Sequence, residues 1–326
     1  MPPVSAPLLA VDDLRVRLPT PDGAHAAAID GISFTLGRGG TLGLIGESGC
    51  GKSLTALALM GLLPEAARTS GSIVLDGREL TTLAERDWCA LRGDRLAMVF
   101  QEPMTALNPL HTVGRQIAEP LRLHRGLSAA AARAEALRLL ERVHLPDAAR
   151  RLDAYPHQLS GGQRQRVVIA IALACAPDLL IADEPTTALD ATVRREVLDL
   201  IAELRAATGM ALLLISHDLG VMAQSVERLL VMYAGVVVES GPTAAVFERL
   251  AHPYTRALFA AQPRLGLPRG TRLATIPGRV PALGRRPAGC PFAERCPQAV
   301  AECRAALPAP VAVGPGHEAR CIRVHA

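Results

Sequence analysis

The sequence predicts an α/β fold, a parallel sheet covered on both faces by helices. Three observations predict it. Short apolar runs at 41–45, 96–100, 179–182 and 211–215 have the length and continuous hydrophobicity of buried strands. Helical stretches follow or separate them, at 54–63, 113–145, 191–207 and 218–227. Gly46 to Ser53 reads G-E-S-G-C-G-K-S, a glycine loop between the first of these strands and the first of these helices. The chain has 326 residues, 49% of them apolar, enough for one large domain with an appendage or for two domains.

The elements follow in order. Leu8–Leu18 and Ala28–Leu36 alternate in polarity around a Pro21-Asp22-Gly23 turn and read as an antiparallel hairpin. Thr41–Ile45 is a buried strand. The loop after it, Gly46, Glu47, Ser48, Gly49, Cys50, Gly51, Lys52 and Ser53, fits G-x-x-x-x-G-K-[ST]. In that motif backbone N–H groups and a helix N-terminus face phosphates. Of the 35 Lys and Arg residues, Lys52 is the single lysine. A compact ammonium on a slim stem fits a phosphate cradle, where a planar guanidinium does not. Leu54–Leu63 reads as a helix ended by Pro64, and Ser72–Leu75 as a short strand with an Asp76-Gly77 turn. Leu96–Phe100 is a strand that ends at Gln101, and 113–145 is helical.

Leu159-Ser160-Gly161-Gly162-Gln163 then opens a long apolar helix. Ser160 is at an N-cap position, and the two glycines let backbone N–H groups approach an anion. Leu179–Ala182 is an apolar strand ending in Asp183 and Glu184. In P-loop ATPases an Asp at this place holds Mg²⁺ together with the loop hydroxyl, here Ser53. The neighbouring Glu184 is placed to orient or deprotonate the attacking water. After about residue 255 the composition shifts: 256–326 holds 10 of the 25 prolines and four of the seven cysteines, and reads as a separate, loop-rich tail.

These motifs together resemble the ATP-binding cassette (ABC) family, whose signature is L-S-G-G-Q. The resemblance covers 8–255. It implies a P-loop NTPase (RecA-like) core with an antiparallel β subdomain, a helical signature subdomain at about 102–165, and Mg²⁺-dependent ATP hydrolysis. It also implies roles. Gln101 matches the Q-loop glutamine, which touches Mg²⁺ or water and senses the transmembrane partner. Ala188-Leu189-Asp190 matches the D-loop, and His217 the switch histidine at the γ-phosphate. Ser160, Gly161, Gly162 and Gln163 would contact ATP held on the P-loop of an opposing subunit. One departure stands out. No Phe, Tyr or Trp precedes Phe34, so Leu18 stands where the family stacks adenine on an aromatic, with His25 the only ring nearby. This implies weaker ATP affinity or weaker base selectivity.

Two stretches resemble the oligopeptide, dipeptide and nickel importer branch: Phe100–Pro109, and the C-terminal 256–326 with the preceding His252-Pro253-Tyr254-Thr255. Here Cys290, Cys296, Cys303 and Cys321 form an array with intervening gaps of 5, 6 and 17 residues. That spacing fits neither common ferredoxin pattern, and four thiolates suit zinc as well as an iron–sulfur cluster. The resemblance to the branch favours [4Fe–4S]. It further implies two transmembrane permease subunits, a second and different cassette subunit, an indirect link to an extracytoplasmic solute-binding protein, and a peripheral place on the cytoplasmic face of the membrane.

Composition limits the alternatives. The net charge is only +4, so no nucleic-acid partner is expected. The longest apolar run, Val167–Ala176, is well short of the ~18 residues of a membrane span. The N-terminus lacks the basic flank and apolar stretch of a signal peptide, so the chain is expected in the cytoplasm, with thiols free or metal-bound. A soluble ABC ATPase of DNA repair or translation is the rival reading. The first would need long coiled-coil insertions, for which 100–165 is too short, and the second usually carries two cassettes. A metal-binding regulatory module built on the tail is the third reading.

Overall fold

The computed structural model describes residues 6–101, 103–187, 189–262 and 274–324. Glu102 and Ala188, which belong to the expected Q- and D-loop segments, lie outside them. In chain order the first half contains β1 (Leu9–Pro19), β2 (His25–Leu36), β3 (Thr41–Ile45), α1 (Lys52–Leu59), β4 (Arg68–Leu75), β5 (Arg78–Glu79), α2 (Glu85–Leu91), β6 (Leu96–Val99), α3 (Pro103–Ala106), α4 (Val113–Arg125), α5 (Ala129–Arg142) and α6 (Ala148–Arg151). It continues with α7 (Gly161–Ala172), β7 (Leu179–Asp183), α8 (Ala191–Thr208), β8 (Ala211–Ile215), α9 (Leu219–Ser225), β9 (Arg228–Tyr233), β10 (Val236–Pro242), α10 (Thr243–Arg249), α11 (Pro253–Ala260), α12 (Glu302–Ala305), β11 (Val311–Gly314) and β12 (His317–Ala319).

The chain forms two compact units. The first runs through 36–41 and 82–215. Its strands β6, β7 and β8 are parallel, with Ile181 of β7 opposite Met98 on one side and Leu213 on the other. Every residue of these three strands is buried, which is why each reads as an unbroken apolar run. Helices α4, α5 and α7 pack on one another in the region expected to be helical, and α7 also packs on β6 through the buried run Val167–Ala170.

The second unit comprises 9–35, 42–81 and 216–326. One of its sheets has the order β2-β1-β4-β5, with β1–β4 and β4–β5 antiparallel. In β1 Val11, Leu14 and Val16 are buried between exposed Asp12, Asp13, Arg15 and Arg17, the alternation of a strand with one wet face. In the other, β3 runs parallel to β9, and β10, β12 and β11 extend the sheet in antiparallel fashion. So the C-terminal residues are not separate from the rest. They share a compact unit with the glycine loop and add two strands to its sheet, and the composition change at 255 does not coincide with an edge of either unit.

Helix α1 also stops before the expected Pro64. Gly61 takes φ 62°, its N–H donates to Ala58, and the Leu62 N–H donates to Leu57 at 2.9 Å. These are the two bonds of a Schellman ending, so the glycine, not the proline, ends the helix.

Candidate functional site: a phosphate loop and a carboxylate corner

The loop Gly46–Ser53 leaves β3 and enters α1. Three of its glycines have positive φ: Gly46 at 151°, Gly49 at 79° and Gly51 at 107°. At Gly46 the need is also steric, because a Cβ would lie 2.2 Å from the Met232 carbonyl oxygen and 2.7 Å from Cys50 Sγ. Cys50 is wholly buried, its carbonyl accepts the Gly235 N–H at 2.9 Å, and burial pushes its thiol pKa up. It fills the space under the loop as a small apolar residue.

Lys52 is the first residue of α1. It is 7% exposed, and its ammonium donates to the carbonyls of Gly46 at 2.8 Å and Glu47 at 3.2 Å. The cation is therefore folded back over the loop's own backbone, where an entering phosphate would take over its bonds. Ser48 and Gly49 are exposed on the loop, and Ser53 is exposed on the first turn of α1. Glu47 is tied down at two points. Its N–H donates to the Tyr254 hydroxyl at 2.7 Å, and its carboxylate accepts both arms of Arg295 at 2.6 and 3.0 Å. Burial pushes the Tyr254 pKa up, so it stays a neutral phenol. Neither partner is evident from the sequence alone. The only signals were Tyr254 inside the branch-like His-Pro-Tyr-Thr run and a single Arg between Cys290 and Cys296.

Close to β3, Ser216 donates its N–H to the Leu44 carbonyl at 3.4 Å, which places the exposed His217 on the segment beside the end of the loop's strand. Leu18 is half-buried near the end of β1, and His25 Nε2 lies 3.1 Å from the Ala66 carbonyl oxygen.

The first unit carries the carboxylates. Asp183 is 4% exposed at the end of β7. Glu184 follows in the left-handed region at φ 47°, with its N–H on the Ile215 carbonyl at 2.9 Å. Its Oε2 accepts the Thr187 hydroxyl at 2.8 Å and faces the Gln101 amide nitrogen at 3.5 Å. A non-glycine residue at positive φ is strained, and such strain clusters where a side chain must be aimed. Gln101 and Glu184 are thus brought together across 83 positions of sequence.

The signature residues form a capping box on α7. Ser160 Oγ accepts the Gln163 N–H at 3.3 Å, and Gln163 Oε1 accepts the Ser160 N–H at 3.0 Å. Ser160 and Gly161 are exposed, so the N-terminus of this helix is open to an anion. A Cβ on Gly162 would come 2.6 Å from Val193 Cγ1 of α8, so this glycine serves helix packing. Asp190 caps α8, accepting the N–H groups of Thr192 and Val193 at 3.1 Å.

Cys290, Cys296, Cys303 and Cys321 line one small cavity in the second unit, together with His252 and Phe292. All four are free thiols. Burial raises Cys290 to about 11 and shifts Cys296 and Cys321 upward. His252 is buried in the same wall, and burial with the nearby Arg256 charge holds it neutral with a pKa of about 3. Among the described residues, no group of three or more His, Cys, Asp or Glu side chains is arranged to hold a metal ion.

A glycine loop with a lysine over it, a strand-end acid pair and a capped L-S-G-G-Q helix define an ATP-binding cassette ATPase. The comparisons agree. The ABC transporter family profile matches residues 29–187, and the profile described as the oligopeptide/dipeptide transporter C-terminal region matches 238–303. The chain is 49% identical to the oligopeptide transport ATP-binding protein OppD of Salmonella typhimurium, over 97% of this chain and 93% of that one. It is 50% identical to the probable peptide ABC transporter ATP-binding protein y4tR of Sinorhizobium fredii, over 91% of this chain and 89% of that one. Among solved structures, the dimeric ATP-binding cassette MJ0796 in a post-hydrolysis state with ADP and Pi matches at TM-score 0.64 and 27% identity, over 72% of this chain and 98% of that one. The chain belongs to the ATP-binding subunits of ABC transporters.

Proposed function

We propose that this ATPase powers an importer of di- or oligopeptides, or of a related solute such as nickel, from the cytoplasmic face of the membrane. What carries the proposal is the join between engine and extension: the C-terminal region shared with peptide transporters is bonded to the phosphate loop itself, through Arg295 and Glu47. The relatives in Salmonella and Sinorhizobium, ATP-binding proteins of oligopeptide and peptide transport, point the same way. No helix among the described residues is long and apolar enough to cross a membrane, and the proposal assigns that crossing to two permease subunits.

The roles are those that membership of this family implies for the matching motifs. The loop amides and Lys52 bind the β- and γ-phosphates. Ser53, Asp183 and Gln101 are oxygen donors of the kind a hard divalent ion takes, and suit Mg²⁺. When bound, Mg²⁺ would supply positive charge to offset that of the phosphate oxygens. Glu184 polarises the attacking water, and His217 contacts the γ-phosphate. The loop amides and Lys52 meet the charge that develops as the phosphoryl group transfers. Ser160–Gln163, open at the start of α7, contact ATP on the loop of a second cassette, and Asp190 crosses to that partner. Nucleotide draws the two cassettes together, hydrolysis releases them, and the permeases alternate between their two faces.

A second reading concerns the cysteines. Four thiols on one cavity are a donor set suited to a [4Fe–4S] cluster or to zinc. Binding requires the thiols to lose their protons, against the burial that now raises them, and side-chain movement into coordination. Iron, sulfide and zinc analysis of anaerobically purified full-length chain tests this. About four irons per chain supports the cluster, one zinc supports the runner-up, and neither ends the metal reading.

The transport assignment is tested by pull-down of the tagged chain from detergent-solubilised membranes. The expected companions are two multi-span permeases and a second cassette chain. Recovery only with ribosomes or DNA overturns the importer and leaves the ATPase.

A further inference from the structure

A loop that receives a polyanion carries a carboxylate as its second residue, and that carboxylate is held by the far end of the chain. Arg295 is 5% exposed at its side chain and uses every N–H it has. Nη1 donates to Glu47 Oε2 at 2.6 Å and to the Tyr233 hydroxyl at 3.1 Å. Nη2 donates to Glu47 Oε1 at 3.0 Å and to the Ile276 carbonyl at 3.2 Å. Nε donates to the Pro277 carbonyl at 2.7 Å. The guanidinium also stands over the rings of Tyr233 and Phe292, 5.7 and 5.9 Å from their centroids. Such a saturated, two-point pair is a fixed device and differs from a surface ion pair in having no freedom to wander.

Left alone, Glu47 would be a mobile negative charge one residue from the glycine whose carbonyl holds Lys52. It could draw the ammonium away and would repel entering phosphates. We propose that Arg295 is a positioning residue for nucleotide binding: it neutralises Glu47 and keeps the carboxylate turned toward the C-terminal extension, leaving the phosphate loop open to polyphosphate. The extension therefore sets the affinity of the loop. This rests on ATP binding at the loop.

The test is calorimetric titration of the full-length chain with Mg–ATP, with melting temperatures measured beside it. Arg295→Met keeps the length and removes the charge, and is expected to raise the ATP dissociation constant about tenfold or more, the scale of one charge contact near a protein surface. Adding Glu47→Gln to Arg295→Met removes the freed charge and is expected to bring the constant back to within about threefold of wild type. A merely structural arginine would give no such rescue. Arg295→Lys, which keeps the charge and loses the fork, falls between, and serves as the readout if the methionine variant does not fold. Wild-type binding equal to that of Arg295→Met, or a double variant no better than the single one, overturns the proposal while ATP binding stands. A wild-type chain that does not bind Mg–ATP overturns both.

Discussion

The phosphate loop and the carboxylate corner hold their working groups by opposite means. In the loop the backbone does it. Three glycines take positive φ, the lysine lies on loop carbonyls, and Gly46 sits where any side chain would collide. At the corner side chains do it: Glu184 is held by the Thr187 hydroxyl and faced by Gln101. Faults in the loop should therefore be steric and total, whereas faults at the corner should be chemical and graded.

The contrast can be broken, starting with the largest effect. Gly46→Ala places a methyl against the Met232 carbonyl and Cys50 and should cost about 3 kcal/mol of stability and abolish nucleotide binding. Thermal melting with ATP titration checks this, and a variant that melts and binds like wild type would end the steric reading. Leu18→Tyr should tighten nucleotide binding by about 1–3 kcal/mol, supplying the ring that the β1 end lacks. Unchanged affinity would place adenine elsewhere. Thr187→Val removes the hydroxyl from Glu184 and should slow turnover about tenfold while binding stays constant, the size of a hydrogen bond to a charged group. Equal losses in binding and turnover would make Thr187 part of the binding wall instead.

The smallest effect is a pH effect, away from both sites. Glu79 loses some charge stability through desolvation, but bonds from Ser72, Thr81 and Ile73 outweigh that and lower its pKa to about 2. Its contribution is then complete above the ordinary carboxylate range and fades as pH falls from about 4.5 toward about 2. Glu79→Gln should cost under about 1 kcal/mol at pH 7, since the group is largely solvent-screened, and nothing near pH 2. Denaturant midpoints at the two pH values check it; a gap that widens in acid would reverse the sign.

Legibility divides along the same lines as the contrast. The loop, the corner and the α7 cap were readable because each depends on neighbours within a few residues: glycines for positive φ, Ser160 and Gln163 for a capping box, an apolar run ending in two acids. The C-terminal extension was not. Its strands are short, Val311–Gly314 and His317–Ala319, and they exist because β10 is there to pair with, which proline-rich composition conceals. The β9–β10 hairpin was missed for a similar reason, since its strands depend on β3 and on each other. Arg295 and Glu47 are 248 positions apart, and nothing local to either announces the pair. The four cysteines line one cavity, and among the described residues no metal-holding arrangement of side chains is found.

The most direct test of the ATPase account is Glu184→Gln, which keeps the shape of the corner and removes its base. On the full-length chain taken from detergent-extracted membranes, Mg–ATP binding should persist while turnover falls about 10²–10⁴-fold. Turnover near the wild-type rate would contradict the account by removing Glu184 from the chemistry.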